Sequence, residues 1–222
     1  MNKPPASRHQ ESREHFKHRL EAFSDIVFAL ALSQLALQLE VPKRIEDLTV
    51  NPVAYLLFFV TFAIVCFYWI AHYRMFRLAF QAYPVDIFLN FVFLAFTAIL
   101  PYTLQVYIKF ASHWQNGNKL PYGLYIASFA GTALPMSLLF YRALLRRDPS
   151  LTPKERLDVY RAFLRNAFIL ATTAICGIVL ALATYPFLAM YPFAILGPAI
   201  AILRRRVKRV PARFLPEGMA TA

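Results

Sequence analysis

Apolar residues gather in six long stretches, at about 20–41, 52–74, 85–110, 121–145, 162–185 and 187–203, with short polar segments between them. A helix crossing a bilayer needs roughly 20 mostly apolar residues. The pattern therefore predicts an all-α integral membrane fold with six transmembrane helices. The sixth stretch is the shortest, and Pro186 and Pro192 predict a tight turn into it. Pro101, Pro135 and Pro198 fall inside apolar stretches, where a proline removes a helix hydrogen bond and is expected to kink or break the helix. The segment 147–158 (RDPSLTPKERLD) reads as a turn, with Ser150 or Thr152 capping a helix that opens at Pro153. Three units follow: a polar tail at 1–18, a six-helix membrane domain at 19–204 and a basic tail at 205–222.

Composition supports a lipid solvent. The 222 residues are 59% hydrophobic and only 16% charged, against roughly 25% charged in a soluble domain. The net charge of +12 does not point to nucleic acid. The basic residues lie in short clusters at the ends of apolar stretches, not along one face.

Their placement orients the chain instead, because cytoplasmic loops carry the excess of Lys and Arg. With the N-terminus inside, the inner side holds Lys3, Arg8, Arg13, Lys17 and Arg19, then Arg74 and Arg77. It also holds the cluster from Arg142 to Arg165 and the run from Arg204 to Arg213. Only Lys43, Arg44, Lys109 and Lys119 are left outside. Six helices with both ends cytoplasmic fit this distribution; five or seven would scatter the clusters to both sides. The polar N-terminus shows no cleavable signal, so the first helix is expected to act as the insertion signal. Cys66 and Cys176 both sit in apolar runs, which suggests neither a disulfide framework nor a metal site.

The first helix carries the candidate chemistry. Residues 18–42 hold Glu21, Ser24, Asp25, Ser33, Gln34 and Gln38 in an otherwise apolar segment. A charge near the bilayer centre costs at least ~2.5 kcal/mol even on the most lenient scale, so Asp25 needs partners. Antiparallel packing puts Arg19, Ser24, Asp25, Trp69, His72, Asp86 and Asn90 at one depth near the inner leaflet. A satisfied hydrogen-bonded network is feasible there, as helix glue or as a proton relay through Asp25 and His72. At 3.6 residues per turn, Leu30 lies about 140° around the helix from Asp25 and cannot join that network. Ile26, Leu30, Ser33, Gln34, Leu37 and Val41 instead form one stripe, aliphatic with a polar band at Ser33 and Gln34. Either the stripe packs against another helix, or copies of it around an axis form a pore with hydrophobic constrictions. At the outer end, Glu40, Glu46 and Asp47 against Lys43 and Arg44 make a slightly negative mouth.

Arg19-Leu-Glu-Ala-Phe23-Ser24-Asp25 resembles the R-x-x-x-F-S-D signature of the transmembrane protein 175 family of potassium-permeable channels. The resemblance continues through Tyr68-Trp69-Ile70-Ala71-His72, Arg74, Phe76 and Arg77, then Asn90 and Leu100-Pro101. It implies a prokaryotic, single-repeat subunit of a homotetramer in the plasma membrane, with helix one lining the pore. By the same resemblance, Leu30 is the main hydrophobic constriction, Ser33 a selectivity ring and Leu37 a second constriction, with Ile26 and Gln34 also facing the pore. Arg19, Phe23, Ser24, Asp25, Trp69, His72 and Asn90 would brace the pore helix without touching ions. Ile26 stands where relatives often have Gly or Ala, and Gln34 where an aliphatic residue is common.

The expected function is passive permeation of potassium or other monovalent cations across the bilayer, without a TVGYG carbonyl filter and without a cofactor. The alternative is a proton-coupled transporter or proton leak using Asp25 and His72. Nothing points to an enzyme: no nucleophile motif, metal-ligand cluster or phosphate loop appears, and six glycines leave little for a ligand cradle.

Overall fold

The computed structural model describes residues 5–37, 52–111 and 118–216. Among them, six helical segments are long and apolar enough to cross a membrane. The chain is thus an all-helical, multi-pass membrane protein. α1 runs Pro5–Leu37, α2 Pro52–Leu78, α3 Pro84–Ala111, α4 Leu120–Arg146 and α5 Pro153–Leu182. The sixth span, Phe187–Arg206, is built in pieces. A 3-10 turn at Pro186–Met190 leads into α6 (Tyr191–Ala194) and then α7 (Leu196–Arg206).

α1 is a single helix of 33 residues, about 50 Å long at 1.5 Å per residue. Its polar N-terminal part is therefore a helical extension of the span. Arg13 on that extension lies over the Tyr83 ring, 5.9 Å from its centre, in the turn between α2 and α3.

Two of the three internal prolines do not break their helices. α3 continues through Pro101 and α4 through Pro135. Both prolines are buried, and a packed membrane helix tolerates proline where neighbouring groups re-satisfy the freed backbone. The sixth span does break, but at Ile195, where α6 gives way to α7. Pro198 lies in the first turn of α7, where a missing N–H costs nothing.

α5 opens as its sequence predicts, with Thr152 rather than Ser150 as the cap. The Thr152 hydroxyl accepts from the Glu155 backbone N–H at 3.3 Å, and the Glu155 carboxylate accepts from the Thr152 N–H at 3.0 Å. This reciprocal pair satisfies two free donors of the first turn. Ser150 binds Asp148 instead, through its N–H at 2.9 Å and its hydroxyl at 2.7 Å. Those bonds hold the Asp148 carboxyl below its ordinary pKa.

The core lies between α3, α4 and α5, with α1 and α2 packed on one side. Polar seams cross it: Thr61 meets Tyr125 at 3.2 Å, and Thr103 donates to Ser128 at 3.1 Å. The last described residues fold back under α4 and α5. Phe214 is buried, edge-on to Tyr141, and its carbonyl accepts from Arg156. Arg147 donates to Arg213 O at 3.1 Å, and Arg161 to Val207 O at 2.8 Å. The segment expected as a separate basic tail thus begins as a strap on the bundle.

α3 and α4 approach closely at Gly131, where an added Cβ would overlap the Phe96 ring. Gly131→Ala is expected to destabilise the protein by about 1–3 kcal/mol through overpacking. Thermal unfolding in detergent should show a lowered Tm that the second change Phe96→Ala partly restores.

Candidate functional site

The first helix has two faces of opposite character. One is locked into the bundle: Leu20, Ser24, Phe28, Ala31 and Leu35 are all buried, at helical spacing i, i+4, i+8, i+11 and i+15. Its apolar members touch α2 and α3, with Phe28 against both His72 and Phe93. On the other face, Ile26, Leu30 and Leu37 are 58%, 59% and 85% exposed. Ser33 and Gln34 lie exposed between them. All five expected stripe residues within the described segment thus share one uncovered side. Val41 and the charged outer-mouth residues Glu40, Lys43, Arg44, Glu46 and Asp47 lie outside the described residues.

The polar residues at the end of the bundle that holds the α2–α3 turn fall into three groups. In the first, His72 Nε2 and Asn90 Oδ1 are 2.8 Å apart, and Asn90 Nδ2 donates to Ser24 Oγ at 3.5 Å. The Ser24 hydroxyl in turn donates to Leu20 O at 2.8 Å. All three side chains are buried, and Phe93 stacks on the imidazole with centroids 5.5 Å apart. This group joins α1, α2 and α3 through one set of bonds. In the second, Trp69 Nε1 donates to Asp25 Oδ1 at 2.9 Å on the exposed side of α1 and α2. The indole bond supplies the partner that a carboxylate at this depth requires. Phe23 lies next to it, edge-on to Phe91 with centroids 6.1 Å apart.

The third group departs from expectation. Asp86 does not join Asn90; its buried carboxylate accepts from Arg142 Nε at 2.8 Å and pairs with Arg146 as well. Arg146 also donates to Ala79 O at 2.9 Å and covers the Tyr83 ring. The physical reason is charge. Two guanidiniums on the last turns of α4 neutralise a buried carboxylate far better than a neutral amide does. Arg142 and Arg146 had the i, i+4 spacing that would have revealed a shared face, but in sequence they read only as loop charge. Arg19, expected beside Asp25, is exposed.

The segment from Arg19 to Pro101, holding the exposed stripe and the first two groups, is also the part of the chain that a family model matches. Residues 19–101 match the family model described as endosomal/lysosomal potassium channel TMEM175. A potassium channel of Chamaesiphon minutus is 29% identical over 133 residues, 56% of this chain and 62% of that protein. A potassium channel of Marivirga tractuosa is 32% identical over 99 residues, 45% of this chain and 40% of that protein. These matches span less than two thirds of either relative. Two crystal structures share the fold. One is the potassium channel MtTMEM175 bound to a nanobody–MBP fusion protein, with TM-score 0.65 and 23% identity over 84% of this chain and 91% of that one. The other is a lysosomal potassium-selective channel TMEM175 homolog from Chamaesiphon minutus, with TM-score 0.64 and 20% identity over 87% and 99%.

Residues 19–101 match the TMEM175 family model, and the chain shares its fold with two solved TMEM175 channel structures. The TMEM175 family model covers α1 to α3 as far as Pro101, whereas the structural likeness extends across most of the chain. The Asp86 clamp straddles that boundary, with its carboxylate inside the matched segment and its arginines on α4.

Removing one partner of a buried ion pair costs about 3–5 kcal/mol, because the other charge is left uncompensated. Asp86→Ala is expected to lower thermal stability in detergent by that order. Adding Arg142→Met and Arg146→Met to the same variant should recover part of the loss, as read by the unfolding midpoint.

Proposed function

We propose that this chain is the subunit of a passive, potassium-permeable cation channel, assembled as a homotetramer with α1 lining the axis and both termini cytoplasmic. The observation that carries the reading is the uncovered stripe of α1. A helix whose opposite face is fixed by buried packing and by the Ser24–Asn90–His72 bonds presents Ile26, Leu30, Ser33, Gln34 and Leu37 outward. An exposed Gln in hydrocarbon would be left unsatisfied, whereas around a water-filled axis it is solvated. The bacterial relatives, both named as potassium channels, support the same reading and a place in a prokaryotic plasma membrane.

The chemistry of the stripe fits cations. The Ser33 hydroxyl donates its proton to Ala29 O at 2.8 Å, so its oxygen turns lone pairs outward. Gln34 adds an amide carbonyl at the same level. Rings of such oxygens replace part of an ion's hydration shell, and Leu30 and Leu37 on either side form hydrophobic constrictions that gate by dewetting. Arg19, Phe23, Ser24, Asp25, Trp69, His72 and Asn90 hold the helix that carries the rings. The proton-coupled alternative has less support, because Asp25 and His72 belong to separate hydrogen-bonded groups.

Purified protein in liposomes should pass potassium down its gradient without an imposed proton gradient, and its mass in detergent should be that of four chains. Leu30→Ala should raise potassium flux roughly tenfold, equivalent to a barrier lowered by ~1.4 kcal/mol. Unchanged flux in a folded, tetrameric Leu30→Ala variant would remove Leu30 from the pore, and flux seen only under a proton gradient would refute a passive channel.

A further inference from the structure

On the inner half of the bundle, away from α1, a cavity of about 720 Å³ opens between α2, α5 and α7. Arg74, Arg77, Lys154, Arg161, Arg165 and Arg204 line it. Glu155 and Asp158 also reach it, but both are engaged: Glu155 in the cap of α5, and Asp158 at 3.8 Å from Arg161. The cavity is therefore strongly cationic. Its deeper wall is apolar, formed by Phe67, Ile70, Ala71, Ile200 and Leu203.

Arg165 stands out among the basic residues. It lies about three turns into α5, well past the loop charge with which its sequence position groups it. Its guanidinium rests on the Phe67 ring, 4.8 Å from the centre. Nε and Nη2 are buried and have no hydrogen-bond partner within the described residues. Arg74 shares the cavity and repels it. A half-buried guanidinium with two buried, orphaned donors beside a second positive charge calls for an anion. Arg161 cannot relieve the imbalance, and its own donors already go to Val207 O.

We propose that this cavity binds an anionic phospholipid, its headgroup phosphate held by Arg165 and Arg74 and an acyl chain lying along Phe67, Ile70 and Leu203. Arginine presents a planar fork of donors that matches phosphate oxygens. Basic pockets between transmembrane helices on the cytoplasmic side suit anionic headgroups. The lipid source is favoured over a free phosphate because the charged groups sit against an apolar wall at membrane depth. Arg77, Lys154 and Arg204 at the same cavity add attraction for the negative surface. The site does not depend on conduction; the orientation given above enters only in choosing the cytoplasmic leaflet.

The test uses the full-length protein, delipidated in neutral detergent and titrated with dioctanoyl phosphatidylglycerol, dioctanoyl phosphatidylcholine or inorganic phosphate while the unfolding midpoint is followed. Phosphatidylglycerol should raise the midpoint saturably, and the other two should not at equal concentration. Arg165→Gln should bind phosphatidylglycerol at least tenfold more weakly, while its lipid-free midpoint is unchanged or higher because an uncompensated charge is gone. Arg74→Gln should weaken binding in the same direction, which keeps the test valid if one variant expresses poorly. Equal shifts with phosphatidylcholine, or with phosphate alone, would overturn the lipid assignment. A lipid-free Arg165→Gln protein much less stable than wild type would mean that Arg165 is paired with another protein group, and would overturn the site.

Discussion

Hydrocarbon offers no hydrogen bonds, so a polar side chain at membrane depth must be answered by the protein or by something bound to it. Much of this structure follows from how that demand is met on α1. Ser24, buried between α2 and α3, bonds through Asn90 to His72. That one set of contacts fixes the rotation of α1 about its own axis. Once the rotation is fixed, Phe28, Ala31 and Leu35 are buried by the same face. Ile26, Leu30, Ser33, Gln34 and Leu37 are then turned outward with no freedom to choose otherwise. The exposed face is a consequence of the buried one.

Charge organises the end of the bundle at the α2–α3 turn in a similar way. Asp86 at the start of α3 draws Arg142 and Arg146 from the end of α4, joining two antiparallel helices where both would otherwise present free termini. Arg147, Arg156 and Arg161 spend their donors on backbone carbonyls of the returning chain at Arg213, Phe214 and Val207. These arginines therefore serve as struts as well as topological markers. A count of positive charges orients the helices, but it does not distinguish a strut from a free charge.

That distinction sets how much could be read from the sequence. The six spans, the Thr152 cap and the single face shared by Ile26, Leu30, Ser33, Gln34 and Leu37 were legible because they depend on local period and spacing. So was the grouping of Ser24, His72 and Asn90, since depth in an antiparallel bundle follows from distance to the loops. The partner of Asp86 was not legible, because choosing α4 over α1 depends on which helices pack together. That Pro101 and Pro135 leave their helices unbroken was not legible for a related reason: tolerance of a proline in a membrane helix depends on the helices packed around it. The strap at Val207–Phe214 was hidden because a run rich in arginine reads as a solvated tail until its carbonyls are seen accepting bonds.

Two surfaces of the single chain remain unanswered by its own groups, and they differ in what can answer them. The α1 stripe is neutral, so further copies of itself and a column of water would satisfy it without any new charge. The cavity at Arg165 is cationic, and the two carboxylates that reach it, Glu155 and Asp158, are already engaged within the chain. Self-association thus suits the first surface and an external anion suits the second. Because Arg165 lies at membrane depth against Phe67, the nearest abundant source of that anion is the bilayer itself.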